Sequence, residues 1–330
     1  MDDSEILERN LVEVVTKEEL KNLLSINPRP TTYCGFEVSG PVHIGHMVSI
    51  LKQMDFQKLG WNVKILFADV HTLLNCKGEE DWINRMIKYW ETSFRALGLD
   101  KAEFVRGSSF QFEKEYVKDV LGLGLHSTLN RALRSMQEIA RDIEHAKVSQ
   151  VIYPLMQIAD VKALEVDVAH GGMEQRKIHM LARESLPQIG GKKPICTHGP
   201  LLCSLQGPEV KMSSSKPETM IAVDDSPDEI KKKIQSAFCP PEEMAGNPIA
   251  QIAEYVIFPR LGELEVVRPQ KFGGDVSYNS IDELGEDYSK KRLHPADLKN
   301  AVSESLADLL KPVREELGKK KLTYSEVNST

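Results

Sequence analysis

Two histidines near the amino terminus and a lysine-serine segment further along are the residues whose types and spacing best suit phosphate chemistry. His43-Ile44-Gly45-His46 follows Thr31 to Val38, a β-branched and aromatic stretch that predicts a strand ending in a turn. A helix that begins after this turn would bind phosphate at its N-terminus, as in open α/β sheets. Both imidazoles would share one helical face, and Gly45 would let a base or ribose approach the backbone. Two ordinary surface histidines at a helix cap are the alternative.

The lysine-serine segment is Lys211-Met212-Ser213-Ser214-Ser215-Lys216, in a stretch flanked by glycine and proline. Ammonium and hydroxyl groups on a mobile loop can stabilise the charge that grows on a triphosphate leaving group. A flexible polar loop without a ligand is the alternative for this segment taken alone.

A third set of polar residues has helical spacing. Tyr153, Gln157 and Asp160 occur at i, i+4 and i+7, so one helical face can present all three to a single ligand. The alternative is a half-buried helix face whose polar side chains satisfy one another.

Strand and helix signals alternate around these residues. The sequence predicts helices over residues 4–25, 43–59, 82–97 and 173–186, strands over 31–38, 63–70, 166–169 and 194–197, and mainly helical structure over 113–165. This alternation is typical of a doubly wound parallel α/β sheet.

Residues 199–222 are predicted to form a loop. A second domain is predicted to begin after it, near Ser226-Pro227-Asp228-Glu229, where an N-cap serine, a proline and first-turn acids mark a helix start. Its last long helix should run from about Pro295 to Leu317. We therefore expect an α/β domain over residues 1–222, with a helical insertion at about 113–165 and the lysine-serine segment at 211–215. A mostly helical domain is expected over 223–330.

Composition excludes several classes of protein. With 42 Lys plus Arg against 49 Asp plus Glu, the net charge of −7 argues against a protein that coats nucleic acid through its overall field. Five scattered cysteines without a C-x-x-C pair indicate reduced thiols in the cytosol. Cys196, His198 and Cys203 invite a zinc interpretation, but no second ligand pair stands out. The acidic amino terminus and the lack of a long apolar run predict no membrane segment, so we expect a cytoplasmic protein.

The two phosphate motifs, in this order, resemble the HIGH and KMSKS signatures of class I aminoacyl-tRNA synthetases, whose active site is a Rossmann-like fold. Within that class the chain is similar to the tyrosyl-tRNA synthetases of archaeal and eukaryotic type, in their compact archaeal form, over nearly all of its length. Further matching segments are Tyr33-Cys34-Gly35-Phe36-Glu37, Ala68-Asp69-Val70-His71, Tyr153-Pro154-Leu155-Met156-Gln157-Ile158-Ala159-Asp160 and Gly171-Gly172-Met173-Glu174-Gln175-Arg176-Lys177-Ile178-His179.

The resemblance implies an amino-acid pocket for L-tyrosine. Tyr33 and Asp160 would meet the phenolic hydroxyl, whereas Tyr153, Gln157 and Gln175 would hold the α-amino group. A buried Asp160 would need a partner, which a phenol supplies. No editing domain should be required, because a site built to hydrogen-bond a hydroxyl rejects the analogue that lacks it, a rule for which tyrosyl-tRNA synthetases are themselves the standard example.

The resemblance also implies a site for ATP, with Mg²⁺ accompanying the nucleotide and no fixed protein ligand for the metal. His43 and His46 would stabilise the phosphates in the transition state, and Gly35 and Gly45 would lie beside the nucleotide. The residues implied for the pyrophosphate leaving group are Lys211, Ser213 and Ser214.

The resemblance further implies tRNA(Tyr) as a partner. In the second domain, Phe272 and His294 would stack on the first anticodon base and Asp297 would bond its edge. A core phenylalanine and a helix-capping histidine are the alternatives. Arg176, and Arg134 less directly, would read the first acceptor-stem pair, C1–G72. Local basic contacts to tRNA could also include Lys231-Lys232-Lys233.

Family members are homodimers, and the stretch at 113–165 is the expected interface. Three other interpretations stay open on the sequence. A tryptophanyl-tRNA synthetase shares the fold and both motifs, a catalytically inactive paralogue would only bind RNA, and a small HxGH nucleotidyltransferase would lack the second domain.

Overall fold

The fold of the chain, taken from a computed structural model, is described for residues 2–136, 147–214 and 216–329. The chain divides into two compact units. The first comprises residues 1–39, 52–91 and 99–200, and the second comprises 40–51, 92–98 and 201–330. The His43-to-His46 motif therefore belongs to the second unit, with residues 201–222. The functional division at residue 222 stays a prediction.

The secondary-structure elements are numbered in chain order. The strands are β1 (Glu13–Val15), β2 (Thr31–Phe36), β3 (Asn62–Phe67), β4 (Glu103–Arg106), β5 (Val168–Gly172), β6 (Ile195–Gly199), β7 (Cys203–Ser204), β8 (Gly207–Lys211), β9 (Leu264–Val266) and β10 (Val276–Tyr278). The helices are α1 (Asp3–Glu8), α2 (Lys17–Ile26), α3 (Ile44–Lys58), α4 (Asp69–Leu74), α5 (Glu80–Leu97), α6 (Lys114–Leu125), α7 (Leu129–Ser135), α8 (Val148–Ala163), α9 (Arg176–Ser185), α10 (Pro227–Ser236), α11 (Pro248–Ile252), α12 (Phe258–Leu261), α13 (Ile281–Ser289), α14 (Pro295–Lys320) and α15 (Tyr324–Asn328).

The first unit is built on a sheet with the strand order β1-β6-β5-β2-β3-β4. β6, β5, β2, β3 and β4 run parallel, and β1 pairs antiparallel with β6. The chain proceeds from β2 outward to β3 and β4 and then returns to β5 on the other side of β2. A ligand in such a sheet binds at the carboxyl ends of the strands where the order reverses, which here is between β2 and β5.

A hydrophobic core covers this part of the sheet. β5 and β6 are buried along their whole length, as expected for inner parallel strands. Side chains of β2, β5, α6, α8 and α9 form one cluster, which includes Tyr33, Ala169, Leu123, Ile158 and Leu181. This packing fixes α8 against β2 and β5, the two strands between which the strand order reverses.

The predicted doubly wound α/β sheet is confirmed, and so is a mostly helical carboxyl-terminal region. The predicted N-cap at Ser226 is also confirmed, because its side chain accepts from the backbone N–H of Glu229 and Pro227 is the first helical residue. In the predicted helical stretch 113–165, α6, α7 and α8 lie within the described residues, whereas 137–146 lie outside them.

Two local predictions are wrong. Residues 4–25 are not one helix, because β1 lies between α1 and α2, where the β-branched Val14 and Val15 pair with β6. The capping box of Thr16 and Glu19 nevertheless begins α2. Residues 199–222 were expected to be a loop, but β7 and β8 form a hairpin there, with Cys203 opposite Lys211. Within the described residues, no helix is long and apolar enough to cross a membrane.

Candidate active site

The predicted helical face exists on α8. Tyr153 and Asp160 are buried there and Gln157 is half-buried. Gln157 Nε2 donates to Gln175 Oε1 at 3.0 Å. Tyr33, on β2, is 1% exposed and lies close enough to Gln157 for that side chain to act on its pKa. The structure therefore brings together Tyr33, Gln157 and Gln175, which the sequence places on a strand, a helix and the turn before α9.

Asp160 is surrounded by donors that the sequence analysis did not assign. Gln111 Nε2 and the Tyr116 hydroxyl donate to Asp160 Oδ1 at 2.7 and 2.8 Å. Among the residues that the structure describes, none forms a hydrogen bond with Asp160 Oδ2, and His71 Nε2 lies 3.8 Å from it. Burial raises the pKa of Asp160, while His71 and the donors Gln111 and Tyr116 act in the opposite direction. One oxygen of a fully buried carboxylate is thus held, and the other can still accept.

Tyr33 remains a neutral phenol. Burial, and then the charge of Asp160, raise the pKa of Tyr33 well above its ordinary value. A neutral hydroxyl can both donate and accept a hydrogen bond. Near Asp160, it can therefore bind the hydroxyl of another phenol as a donor or as an acceptor.

Tyr153 lies near a second polar group, around Glu37. Burial, and then the charge of the nearby Glu37 carboxylate, raise the pKa of Tyr153 well above its ordinary value. Glu37 accepts from Asn75 Nδ2 at 3.0 Å and forms an ion pair with Lys77. The ring of His71 meets the edge of Tyr153 with 4.5 Å between ring centroids. Glu37 and His71 lie within segments that carry the family resemblance, but nothing in their spacing pointed to these contacts.

His43 and His46 lie at the start of α3 in the second unit, with their rings stacked 3.7 Å apart. His43 Nδ1 accepts from the backbone N–H of Gly45 at 3.1 Å, and His46 Nδ1 accepts from that of His43 at 3.2 Å. Because each Nδ1 accepts, the proton of each neutral ring must be on Nε2. Burial and then Lys211 lower the pKa of His43 to about 3. Burial, His43 and Lys211 also lower the pKa of His46. The pair is therefore two neutral Nε2–H donors.

Two glycines allow these side chains to pack closely. A Cβ on Gly45 would lie 2.8 Å from His43 Cε1, so the glycine makes room for the histidine ring itself. A Cβ on Gly40 would lie 2.8 Å from both Cβ and Oγ of Ser214. The serine segment of the second motif therefore packs directly on the turn before His43.

Lys211 is the last residue of β8, with an exposed side chain, and Ser213 and Ser214 follow it half-buried. Its charge contributes to the lowered pKa values of both histidines, which shows that it acts on the same region. Ser215 lies outside the described residues. Gly35 belongs to β2 in the first unit, where an added Cβ would make only ordinary contacts, the shortest 3.6 Å to Tyr33.

The residues predicted to read the anticodon lie in the second unit. Phe272 is 58% exposed, so it is not a core residue, and Lys271 Nζ lies 4.8 Å from the centre of its ring. His294 does cap α14, because its Nδ1 accepts from the backbone N–H of Ala296 at 3.1 Å. Asp297 is in the first turn of that helix.

Arg268 joins the two segments that carry Phe272 and His294. Its Nε donates to the Gly274 carbonyl at 2.8 Å and its Nη1 donates to the Arg292 carbonyl at 2.7 Å. Arg268 was not predicted from the sequence, because its partners lie 6 and 24 positions away and no local pattern marks them.

The predicted acceptor-stem residues lie in the first unit. Arg176 begins α9 and forms a two-point ion pair with Glu13. Arg134 is exposed on α7, and its Nε donates to the Asn130 carbonyl at 3.2 Å. Of the lysine run in α10, Lys233 Nζ forms an ion pair with Asp225 at 2.6 Å.

The described residues contain no group of three or more His, Cys, Asp or Glu side chains that could hold a metal ion. Cys196 lies within β6, where its thiol faces the carbonyl oxygens of His179 and Pro194. Cys203 in β7 faces the carbonyl of Gly246.

Comparison with known proteins gives a consistent result over almost the whole chain. A model of the class I tRNA synthetases for tryptophan and tyrosine matches residues 25–311. A tyrosine--tRNA ligase of Methanocaldococcus jannaschii is 50% identical over 96% of this chain and 100% of its own length. One from Archaeoglobus fulgidus is 49% identical, with 95% and 97% covered.

Solved structures agree with these relatives. The crystal structure of a tyrosyl-tRNA synthetase from Archaeoglobus fulgidus complexed with L-tyrosine matches with a TM-score of 0.92, at 48% identity, and the match covers 96% of this chain and 99% of that one. A tyrosyl-tRNA synthetase from Pyrococcus horikoshii, also complexed with L-tyrosine, matches with a TM-score of 0.92 at 34% identity over 100% of both chains.

Proposed function

The chain belongs to the class I tRNA synthetases for tryptophan and tyrosine, and on that premise we propose a role for each group of site residues in tyrosine–tRNA ligation. The ligation itself is established by relatives close to half identical over nearly their full length, all of them tyrosine--tRNA ligases. They do not favour a tryptophanyl enzyme or an inactive RNA-binding paralogue.

The reaction has two steps. The tyrosine carboxylate attacks the α-phosphorus of ATP, which enters with Mg²⁺, and the bond to pyrophosphate breaks. The resulting tyrosyl-adenylate then esterifies the 3′-terminal ribose of tRNA(Tyr), and AMP leaves. No covalent enzyme intermediate is needed, so the chain's own residues orient the substrates and stabilise developing charge.

The surroundings of Asp160 are the observation that best supports L-tyrosine as the amino-acid substrate. Its Oδ2 is a buried acceptor to which no described residue donates, near the neutral hydroxyl of Tyr33. An unsatisfied buried acceptor costs about 1–3 kcal/mol, which the hydroxyl of a bound tyrosine would recover and phenylalanine, lacking a hydroxyl, could not. Asp160 and Tyr33 therefore recognise the phenol, and Gln111 and Tyr116 hold Asp160 in place.

The α-amino group is assigned to the polar side chains next to this pair. Gln157 and Gln175 are already hydrogen-bonded to each other at 3.0 Å. Tyr153 is buried near the Glu37 carboxylate. An ammonium group needs acceptors on several sides, and the hydroxyl and amide oxygens of these three residues supply them.

The phosphates are assigned to the second unit. His43 and His46 act as neutral Nε2–H donors, so they stabilise transferring phosphate oxygens without changing their own charge. Lys211, Ser213 and Ser214 bind the pyrophosphate as it leaves, and Gly45 borders the nucleotide.

The tRNA is assigned to two regions. Phe272 offers an exposed aromatic face to an anticodon base, and the segments bearing it and His294 are joined by Arg268. Asp297 would bond the edge of that base. Arg176 and Arg134 would read the C1–G72 pair of the acceptor stem.

A homodimer is supported by an apolar stripe on α6. Val117, Leu121 and Leu125 recur at i, i+4 and i+8 and are 42, 68 and 86% exposed. Phe112 and Leu129 extend the exposed apolar surface at either end of the helix. A second copy of the chain would cover this surface, and tRNA as substrate, together with free cysteines, supports a cytoplasmic location.

Amino-acid-dependent exchange of pyrophosphate into ATP tests the assignment directly. All twenty amino acids are supplied in parallel, without tRNA. We expect exchange with tyrosine and none above background with tryptophan or phenylalanine. Exchange with tryptophan at comparable rates would overturn the role given to Asp160 and Tyr33.

A further inference from the structure

Arg176 is held at two points by Glu13 of β1. Arg176 Nε donates to Glu13 Oε2 at 2.8 Å, and Nη2 donates to Oε1 at 2.9 Å. Two parallel hydrogen bonds fix the plane of a guanidinium as well as its position, which a single contact would not. The pair uses one edge of the guanidinium and leaves Nη1 outside it, and the Arg176 side chain is 43% exposed. Arg176 is thus oriented yet accessible to a base edge or phosphate.

Two buried histidines lie behind Glu13. His198 is directly opposite Glu13 in the β1–β6 pair, and its Nδ1 lies 3.0 Å from Glu13 Oε2, although the N–H is not aligned as in a standard hydrogen bond. His179 Nδ1 lies 3.0 Å from His198 Nε2. If His198 presents its proton to Glu13, its Nε2 must accept, and His179 must then donate from Nδ1.

The charge states agree with this arrangement. Burial, and then His198, lower the pKa of His179 to about 3, and burial lowers the pKa of His198 against the opposing effect of Glu13. The hydrogen bond from Arg176 lowers the pKa of Glu13. Near neutral pH, a carboxylate therefore lies between a guanidinium and a neutral imidazole.

The segment that carries Glu13 is itself anchored. Lys52 is fully buried, and its ammonium group donates at 2.8 to 3.0 Å to the carbonyl oxygens of Ile6, Leu7 and Arg9. Arg183 Nη1 donates to the Val15 carbonyl at 2.9 Å. Glu13 is therefore held from both ends of its segment, so its carboxylate has a defined position to which Arg176 is fixed.

We propose that Glu13, supported by His198 and His179, is a positioning residue that fixes Arg176 for selection of the acceptor-stem pair. This inference rests on the role proposed above for Arg176. In this role Glu13 acts through Arg176 and not on the tRNA itself. It restricts the guanidinium to one plane before tRNA arrives, so less conformational freedom is lost when the first base pair is bound.

The test compares Glu13→Gln, Arg176→Gln and the double variant. Glutamine keeps the volume of Glu13 but removes its charge and one acceptor. Each protein is assayed for aminoacylation of tRNA(Tyr) transcripts with C1–G72 or G1–C72, and for tyrosine-dependent pyrophosphate exchange without tRNA. For Glu13→Gln we expect about a tenfold lower kcat/KM on the C1–G72 transcript, mainly through KM, and a reduced preference over G1–C72. Exchange should stay within about twofold, and the double variant should match Arg176→Gln.

Glu103→Gln is the matched control, because Glu103 forms an ion pair with Lys64 at 3.7 Å on the same sheet. It should leave both assays unchanged. If Arg176→Gln loses the preference for C1–G72 but Glu13→Gln keeps it, Glu13 has no positioning role. An equal fall in exchange for Glu13→Gln would mean that it acts on tyrosine activation, which also overturns the proposal. If Arg176→Gln itself keeps the preference, the role of Arg176 fails instead.

Discussion

The two oxygens of Asp160 have different surroundings, and this makes the residue a sharp probe of specificity. Asp160→Asn would place an amide where Gln111 and Tyr116 now donate to a carboxylate. We expect kcat/KM for tyrosine in pyrophosphate exchange to fall about 10- to 100-fold, and the preference for tyrosine over phenylalanine to shrink. Asp100→Asn, at an exposed aspartate that accepts from Gln57, is the control and should behave as the unchanged protein. Full activity of Asp160→Asn would exclude it from phenol recognition.

Lys211 allows binding and chemistry to be separated. Because an interaction with leaving pyrophosphate strengthens only in the transition state, Lys211→Ala should slow adenylate formation about 100-fold or more and leave tyrosine affinity nearly intact. Single-turnover formation of tyrosyl-adenylate and equilibrium binding of tyrosine measure the two quantities. Lys311→Ala, at an exposed lysine of α14, provides a control for the loss of a surface charge. Equal losses in rate and affinity would remove Lys211 from the leaving-group role.

At the scale of elements, the proposed homodimer can be tested through its expected interface on α6. Leu121→Glu puts a charge in the middle of the exposed stripe, where burial by a second copy would be costly. We expect a monomer at micromolar concentration by sedimentation or light scattering, with the unchanged protein a dimer. Glu115→Lys alters an exposed residue on another face of α6 and should leave the dimer intact. A Leu121→Glu protein with the mass of the unchanged chain would place the interface elsewhere.

The elements themselves were largely predictable, because each has a local signal. Apolar runs, helical spacing and the Ser226 cap predicted β3, α5 and α10 within a few residues. The three-residue β1 was missed because its partners in β6 are 181 to 185 positions away, from Val15 opposite Cys196 to Glu13 opposite His198, so the pairing leaves no local pattern. The donors around Asp160 were missed for the same reason: Gln111 and Tyr116 reach it from 49 and 44 positions away.

For the whole molecule, buried neutral histidines predict a loss of stability in weak acid. The folded-state pKa of both His43 and His179 is about 3, below the ordinary value near 6.5. Their stabilisation is therefore present above pH 6.5 and is lost as the pH falls, by about 1 kcal/mol each between pH 7 and 5.5. Burial also lowers the pKa of His46 and His170, so these residues add to the loss of stability as the pH falls. The raised pKa of Asp160 has the opposite effect on stability.

Urea unfolding at pH 7 and pH 5.5 measures this loss. We expect a lower free energy of unfolding at pH 5.5, and a smaller difference between the two pH values for His179→Gln, by about 1 kcal/mol. The comparison uses the pH difference, so a general destabilisation by the substitution does not affect it. Identical pH differences in the two proteins would contradict the assignment of His179 as a buried neutral group.

The position of β1 also matters for how the protein behaves at high concentration. Parallel strands present unpaired backbone groups at the edges of a sheet, where another chain can add. β1 covers β6 on one side, while on the other side β4 is short and carries Glu103 and Arg106, charges that discourage such addition. Detachment of the amino-terminal segment would uncover the fully buried β6, so mild proteolysis there is expected to yield a protein that aggregates.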